Sequence, residues 1–126
     1  MPNILELPSL EFGSVLSVTR PLIVTRVVTW YDRFVIKSFK HRGLRRFFET
    51  GSTAGINAQH ASRIRLLLAR LNVSRLPKDM DAPGFFLHEL KGRRKGTWSV
   101  RVNKNWRVTF MFDGPDVHVV DYEDYH

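Results

Sequence analysis

Apolar residues recur with helical spacing in two segments of the chain. Between residues 43 and 50 they stand at i, i+3 and i+4, and Gly51 follows them, which predicts a short helix with a glycine stop. Between residues 58 and 73 they stand at i, i+3, i+4 and i+7, which predicts a longer helix. The two apolar stripes consist of Leu44, Phe47 and Phe48, and of Ile64, Leu67, Leu68 and Leu71.

The last third of the chain alternates apolar with polar residues, which is typical of half-buried strands. The alternation runs over residues 98–103 and 106–112, and after Gly114 a third strand is predicted over residues 117–122. These three strands follow one another closely enough to form antiparallel hairpins.

Earlier in the chain the strand signals are weaker. A short run of β-branched and aromatic residues predicts one strand over residues 35–39, and at most one more is expected over residues 23–29. Together the elements predict an α+β fold. In this fold two helices pack on one side of a small, mostly antiparallel sheet, and the other side of the sheet is open.

A three-residue turn at residues 103–105 fixes the register of the first hairpin. It places Trp106 opposite Val102, so that the apolar rows of both strands lie on the side that the helices cover. The same register places Arg101 directly opposite Arg107 on the other side. Like charges in such a position destabilise a sheet by a few tenths to about 1 kcal/mol. The pair therefore indicates either a bound anion between the arginines or a separate carboxylate partner for each one.

Composition limits the class of protein. With 126 residues, of which 43% are hydrophobic and 25% charged, the chain is expected to form one globular domain. It has no cysteine, which excludes disulfides, thiolate nucleophiles and cysteine zinc sites. No run of about 20 apolar residues is present to cross a membrane, and the start of the chain lacks the pattern of a secretory signal.

The basic residues are concentrated in the middle of the chain. The net charge is +8, yet residues 35–107 hold 17 of the 20 Lys and Arg with only four acids, and the last 19 residues hold five acids and no Lys or Arg. A solvated basic face is the commoner explanation of such a run. The separation of the two signs along the chain favours a polyanionic partner.

Two histidines and a lysine are predicted near the two arginines. His88 and Lys91 stand just before the hairpin that carries Arg101 and Arg107, and His126 ends the chain. A lone histidine is more often structural, but this group has the parts that RNA cleavage by internal attack requires. These are a base for the 2′-OH, cations for the phosphate and an acid for the leaving 5′-oxygen.

Other kinds of site find little support in the sequence. Asp121, Glu123 and Asp124 carry the ligand types of a metal site, but successive strand residues point to opposite sides, so we expect neither a metal nor a cofactor. Glycine-rich phosphate loops, nucleophile elbows and zinc motifs are absent from the sequence.

Several blocks of the sequence, in the same order, closely resemble the HigB toxins of bacterial toxin-antitoxin systems, which belong to the RelE/ParE superfamily. The resemblance spans residues 35–126 and implies a RelE-like fold. The blocks are Val35–Leu44, Phe47–Glu49, Leu87–Gly92, Trp98–Asn103, Asn105–Phe110 and Asp121–His126.

The resemblance implies a cytoplasmic, ribosome-dependent mRNA endonuclease that cuts messenger RNA in the A site of the ribosome, beside 16S rRNA, and halts growth. It also implies a HigA-like helix-turn-helix antitoxin as partner, with operator DNA bound only through the complex of the two proteins. No membrane partner is expected.

The resemblance also implies which residues act. The family's active surface falls on His88, Lys91, Arg101, Arg107, Asp124, Tyr125 and His126. The hypothesis assigns Arg107 and Arg101 to the scissile phosphate and Lys91 to the phosphate or to proton transfer. It makes His126 or His88 the acid or base, and Tyr125 orients the substrate. Further RNA contacts are expected from Lys37, Lys40, Arg45, Arg63, Arg93, Arg94, Lys95 and Lys104.

Residues 1–34 form a neutral, weakly patterned segment ahead of the toxin-like domain at residues 35–126. Two interpretations stay open: an N-terminal extension, or a start assigned too far upstream, since Val35 is compatible with a GTG start codon. A peptide from before Val35, found by mass spectrometry in protein made from the native gene, would exclude the second.

Two other functions stay open at this point. One is a ParE-like toxin of the same fold that inhibits DNA gyrase by binding, although such a protein has no use for an acid and a base. The other is a non-catalytic RNA-binding module, for which the basic middle of the chain would suffice.

Overall fold

The computed structural model describes residues 34–125. Within them the structure has two α-helices and one four-stranded sheet. The predicted strand at residues 23–29, the extension up to residue 33, and His126 lie outside the described residues. The elements are α1 (Arg42–Thr50), α2 (Ala61–Leu71), β1 (His88–Glu89), β2 (Thr97–Arg101), β3 (Trp106–Asp113) and β4 (Asp116–Asp124), with 3₁₀ turns at Ala58–His60, Pro77–Met80 and Gly92–Arg94.

Both predicted helices are confirmed. Helix α1 begins at His41, whose Nδ1 accepts the Leu44 N–H (2.9 Å), and it ends at Gly51 in the left-handed conformation (φ 81°). Helix α2 is shorter than predicted, because its expected first turn is a separate 3₁₀ turn. The Asn57 side chain begins that turn by accepting the Gln59 N–H.

The sheet has the strand order β1-β2-β3-β4, and all neighbouring strands are antiparallel. Strand β1 was not predicted, because it has only two residues. The register predicted for β2 and β3 is confirmed, with Arg101 opposite Arg107. The turn between them is closed by the Asn103 side chain, whose Oδ1 accepts the N–H groups of Asn105 (2.9 Å) and Trp106 (2.8 Å).

One hydrophobic core lies between the helices and the sheet. Both predicted helical stripes contribute to it. Strands β2 and β3 contribute alternate residues, and β4 contributes Val117, Val120 and Tyr122. Burying one such side chain fully stabilises the fold by about 1.5–3 kcal/mol. The fully buried members include Leu44, Ile64, Leu67, Leu71, Val100, Val108, Phe110, Val117 and Val120.

Strand β4 contains a bulge. Before it Met111 pairs with His118, and after it Thr109 pairs with Asp121, so two residues of β4 stand opposite one residue of β3. The extra residue is Val119, which has a positive φ of 55°.

The segment predicted as a strand at residues 35–39 runs beside β4. It forms two isolated parallel bridges, Ile36 with Val117 and Phe39 with Val120, instead of a regular strand. Between the bridges Ser38 holds the bulge, because its Oγ accepts the Val119 N–H (2.9 Å). The bulge interrupts the regular spacing that a longer ladder would need.

The second side of the sheet is less open than predicted. The loop between β1 and β2 places Arg94 across this side, where its guanidinium makes two hydrogen bonds to Glu123 of β4 (2.8 and 2.6 Å). Ser99 and Thr109, in the middle strands, are buried as a result of this cover (0% and 1% exposed).

Candidate anion site on the exposed side of the sheet

Arg101 and Arg107 lie opposite each other on β2 and β3, on the side away from the helices. Within residues 34–125 neither guanidinium has a carboxylate partner. Of the two carboxylates that β4 places on this side of the sheet, Glu123 binds Arg94, and Asp121 Oδ1 accepts the Tyr122 N–H (2.9 Å). Of the two explanations for the arginine pair, the described structure therefore favours a bound anion.

The Arg107 guanidinium is held by the turn and by a ring. Its Nη1 donates to the carbonyl oxygens of Asn103 (2.9 Å) and Trp106 (3.3 Å), and its Cζ lies 5.2 Å from the centre of the Tyr125 ring. Burial, followed by the charge of the neighbouring Arg101, lowers the pKa of Arg107 below its ordinary value. A phosphate between the two cations would relieve that repulsion.

The Arg101 side chain is held by an aromatic ring. Its Cζ lies 3.9 Å from the centre of the Phe86 ring, a cation–π contact. Its Nε is buried and has no hydrogen-bond partner within the described part of the chain. On the backbone, the Arg101 N–H donates to the carbonyl of Phe85 (2.8 Å).

His88 lies on the same side of the sheet. It pairs with Ser99 on β2, two residues from Arg101, so His88 and Arg101 are diagonal neighbours. Its Nδ1 lies 3.3 Å from the Phe86 carbonyl oxygen, which can only accept a hydrogen bond. In the neutral imidazole this contact places the proton on Nδ1, which leaves Nε2 as the nitrogen that can accept a proton.

The structure does not bring every predicted site residue to the two arginines. Lys91 lies with Glu89 and Lys95 at a shallow cavity of about 370 Å³ beside the Gly92–Arg94 turn. Asp124 pairs with Trp106, whose ring packs on the helix side of the sheet. Tyr125 contacts Arg107.

Two residues predicted to contact RNA make structural contacts in this fold. Arg63 donates to the carbonyl oxygens of Arg101 (3.1 Å) and Gly84 (2.6 Å) and thereby ties α2 to the strand that carries the site. Arg94 binds Glu123 as described above. Lys40 lies at the edge of the sheet, where its N–H donates to Val120. Lys37 and Arg63 are half buried, and the other members of the set are exposed: Lys40, Arg45, Arg93, Arg94, Lys95 and Lys104.

Sequence reasoning did not identify two residues of the site, Phe86 and Glu123. Glu123 stands opposite Arg107 across β3 and β4, but its carboxylate is bound by Arg94 and by the Thr109 hydroxyl. These contacts, led by the Arg94 hydrogen bond, lower the pKa of Glu123 below its ordinary 4.5 despite its burial. Glu123 therefore stays charged and holds Arg94 over the sheet.

Residues 34–125 contain neither a metal-binding cluster nor a membrane-spanning helix. No three histidine, aspartate or glutamate side chains lie close enough together to hold a metal ion. Neither α1 nor α2 is long and apolar enough to cross a lipid bilayer.

Within residues 34–125, Arg101 and Arg107 lie on one side of the sheet, with His88 and Tyr125 beside them, and this arrangement has the charge and the hydrogen-bond donors to which a phosphate group can bind. Comparison with known proteins specifies the class. Residues 37–126 match the family described as the RelE-like toxin of type II toxin-antitoxin system HigB. The chain belongs to this family of toxins.

Individual relatives extend the comparison. The chain is 44% identical over 92 residues to Endoribonuclease HigB of Proteus vulgaris, a match that covers 73% of this chain and all of that protein. Two solved structures of Staphylococcus aureus YoeB, in a complex with YefM and as a dimer, each match at 18% identity with a TM-score of 0.49. They cover 72% and 75% of this chain, and 94% and 98% of their own.

Proposed function

We propose that this toxin is an endoribonuclease that cuts messenger RNA on the ribosome with the side chains around Arg101 and Arg107. The observation that carries the proposal is the arginine pair itself, which has no carboxylate partner within the described residues. The relative from Proteus vulgaris, which the chain matches over that protein's whole length, carries the name of an endoribonuclease. A gyrase inhibitor would need no histidine beside the two cations.

The reaction is an internal phosphoryl transfer. The 2′-oxygen forms a bond to phosphorus and the bond from phosphorus to the 5′-oxygen breaks, which leaves a 2′,3′-cyclic phosphate and a 5′-hydroxyl. A base takes the proton of the 2′-OH and an acid gives one to the leaving oxygen. Arg101 and Arg107 bind the phosphate oxygens, on which negative charge increases in the transition state.

His88 is suited to be the base, because its Nδ1 donates to the Phe86 carbonyl and its Nε2 is free to take a proton. His126 is then assigned to the acid. Tyr125, which contacts Arg107, orients the nucleotide. Lys91 keeps its assigned role at the phosphate or in proton transfer as a hypothesis, and Asp124 is kept as a member of the active surface.

The partners follow from the same proposal. The toxin acts in the cytoplasm on mRNA in the ribosomal A site, and a HigA-like helix-turn-helix antitoxin neutralises it. Operator DNA is bound through the complex of the two. The basic residues exposed outside the arginine pair supply salt-dependent attraction to ribosomal RNA.

Primer extension on a reporter mRNA after induction of the toxin tests the proposal. Wild type is expected to produce discrete cuts within translated codons, and fewer than about 1% of them should remain in Arg107→Ala, the usual scale of losing a charge-stabilising donor. Arg46→Ala, on the exposed side of α1, is the matched control and should cut like wild type. Intact messages together with failed relaxation of supercoiled DNA would select the gyrase alternative.

A second comparison tests dependence on the ribosome. The same mRNA is incubated with purified toxin in a translating extract and in the extract after its ribosomes are removed. Cuts are expected only in the first. Equal cutting in both would contradict the ribosome requirement but leave the endoribonuclease assignment intact.

A further inference from the structure

Phe86 is an exposed aromatic residue directly beside the phosphate-binding arginines. Its side chain is 57% exposed, whereas that of its neighbour Phe85 is 4% exposed and lies in the core. The Arg101 guanidinium lies over its ring at 3.9 Å. The ring thus contributes little to the core, and it is placed where RNA is proposed to bind.

The backbone at Phe86 is in an unfavourable conformation. Its φ of 51° lies in the left-handed region, which bulky side chains rarely adopt. Contacts hold it on both sides: the carbonyls of Gly84, Phe85 and Phe86 accept hydrogen bonds from Arg63, from the Arg101 N–H and from His88. The residues that anchor this loop thus include two of the proposed phosphate site, Arg101 and His88.

We propose that Phe86 and Arg101 together form a stacking platform for one nucleobase of the RNA, and that Phe86 sets the base preference at that position. The in-plane N–H groups of Arg101 bind the phosphate, and the ring beside them offers an apolar face to the adjoining base. Every base has a flat π face, so such a platform binds RNA broadly but favours the larger purines. The proposal rests on the proposed use of Arg101 at the phosphate.

Substitutions at Phe86 separate stacking from a structural role. Phe86→Asn keeps a residue that tolerates the left-handed backbone, so its melting temperature should be no lower than that of wild type. Its cleavage of reporter mRNA in a translating extract should fall roughly fivefold to a hundredfold, which is the scale of losing one base stack. Phe86→Trp should restore cleavage and Phe86→Leu should not, because leucine is apolar but has no π face.

The distribution of cuts gives a second readout. If Phe86 stacks on a base, Phe86→Asn should change the relative use of cleavage sites according to the base at one fixed position. Equal slowing at every site would overturn the proposal and make Phe86 a positioning residue for Arg101. Full recovery by Phe86→Leu, or unchanged cleavage in Phe86→Asn, would also overturn it. If wild type and Arg107→Ala behave alike in the same assay, the proposed function itself fails instead.

Discussion

Asn103 joins the buried His60 to the Arg107 guanidinium. Its Oδ1 accepts two backbone N–H groups of the turn, so its Nδ2 is the atom that faces His60 Nε2, at 2.8 Å. His60 Nε2 is therefore the acceptor, and His60 Nδ1 donates to the Tyr122 hydroxyl (2.5 Å). Because the Asn103 carbonyl accepts from Arg107, the core and the site meet in one residue.

Replacing that amide by a carboxylate tests the connection. Asn103→Asp keeps an oxygen for the turn but removes the donor to the buried His60, so that two acceptors face each other at the edge of the core. We expect the free energy of unfolding at pH 8 to fall by about 1–3 kcal/mol, measured by urea denaturation. Asn72→Asp is the control, because the Asn72 side chain accepts the N–H groups of Val35 and Ile36 through its oxygen, which aspartate keeps. Its free energy of unfolding should fall by less than that of Asn103→Asp. Equal losses would contradict the assigned contact.

Arg107 is expected to need its planar shape as well as its charge. Arg107→Lys keeps the cation, but a lysine ammonium is a point charge and cannot present two parallel N–H groups to a phosphate. We predict that mRNA cleavage in the reporter assay falls at least about tenfold. The melting temperature should change little, since the contacts of Arg107 lie at the surface. A large drop in melting temperature would instead mark Arg107 as structural.

The ion pair between Arg94 and Glu123 should make stability depend on pH in the acidic range. The pKa of Glu123 is lowered in the folded chain, so its stabilising contribution is complete above its ordinary pKa of 4.5 and is lost as the pH falls through the lowered value. Glu123→Gln should unfold about 1 kcal/mol more easily than wild type at pH 7. That difference should shrink toward zero at acid pH, as followed by urea denaturation.

Glu49→Gln, an exposed change on α1, controls for the loss of one negative charge. In the double variant Glu123→Gln/Arg94→Met, the loss in free energy of unfolding should be smaller than the sum of the losses in the two single variants, because each change removes the same ion pair. The prediction would be contradicted if the difference in free energy of unfolding between wild type and Glu123→Gln stayed constant down to about pH 3.

The register of the first hairpin could be predicted by counting, but that of the second could not. A three-residue turn leaves one sensible pairing for two alternating strands, and it put Arg101 opposite Arg107. The turn after β3 pairs Asp113 with Asp116, and continued without a bulge this register would set Tyr122 opposite Arg107. The bulge shifts it by one residue and brings Glu123 there instead. Nothing in the local sequence marks that position.

The bulge is held by a contact distant in sequence, which is why local patterns miss it. Val119 is β-branched and unfavourable at a positive φ, and Ser38 fixes it. Val119→Asn should therefore raise the free energy of unfolding by roughly 0.5–1 kcal/mol, since asparagine tolerates this conformation. Val73→Asn, at an exposed residue without positive φ, is the control and should not stabilise. A lower free energy of unfolding in Val119→Asn would show that the contacts of the valine side chain stabilise the fold by more than its backbone conformation costs.

The two phenylalanines before β1 show a second limit of sequence reasoning. Phe85 and Phe86 stand in a loop without periodicity, so the sequence does not indicate which one is buried. The structure buries Phe85, with the Arg63 guanidinium 5.0 Å from its ring centre, and leaves Phe86 beside Arg101. The arginines of the site were predictable because strands repeat every two residues, whereas a loop has no repeat to count.

Gly43 and Gly55 are in close backbone contact, so we expect alanine at Gly43 to destabilise the fold, although helix propensity alone predicts that it stabilises the helix. Gly43 lies in the first turn of α1, where alanine is expected to stabilise an isolated helix by up to about 1 kcal/mol. A Cβ at Gly43 would collide with the Gly55 carbonyl group, which is backbone and cannot turn aside. Gly43→Ala should therefore lower the free energy of unfolding by about 1–3 kcal/mol, as overpacking does.

Urea denaturation measures this effect, and Gly55→Ala should show a loss of the same sign because it fills the same contact from the other side. Glu49→Ala, exposed on the same helix, should stay within about 0.5 kcal/mol of wild type. If Gly43→Ala were as stable as wild type, the two backbones would have to separate without cost. The close approach that fixes the loop after α1 would then have no energetic role.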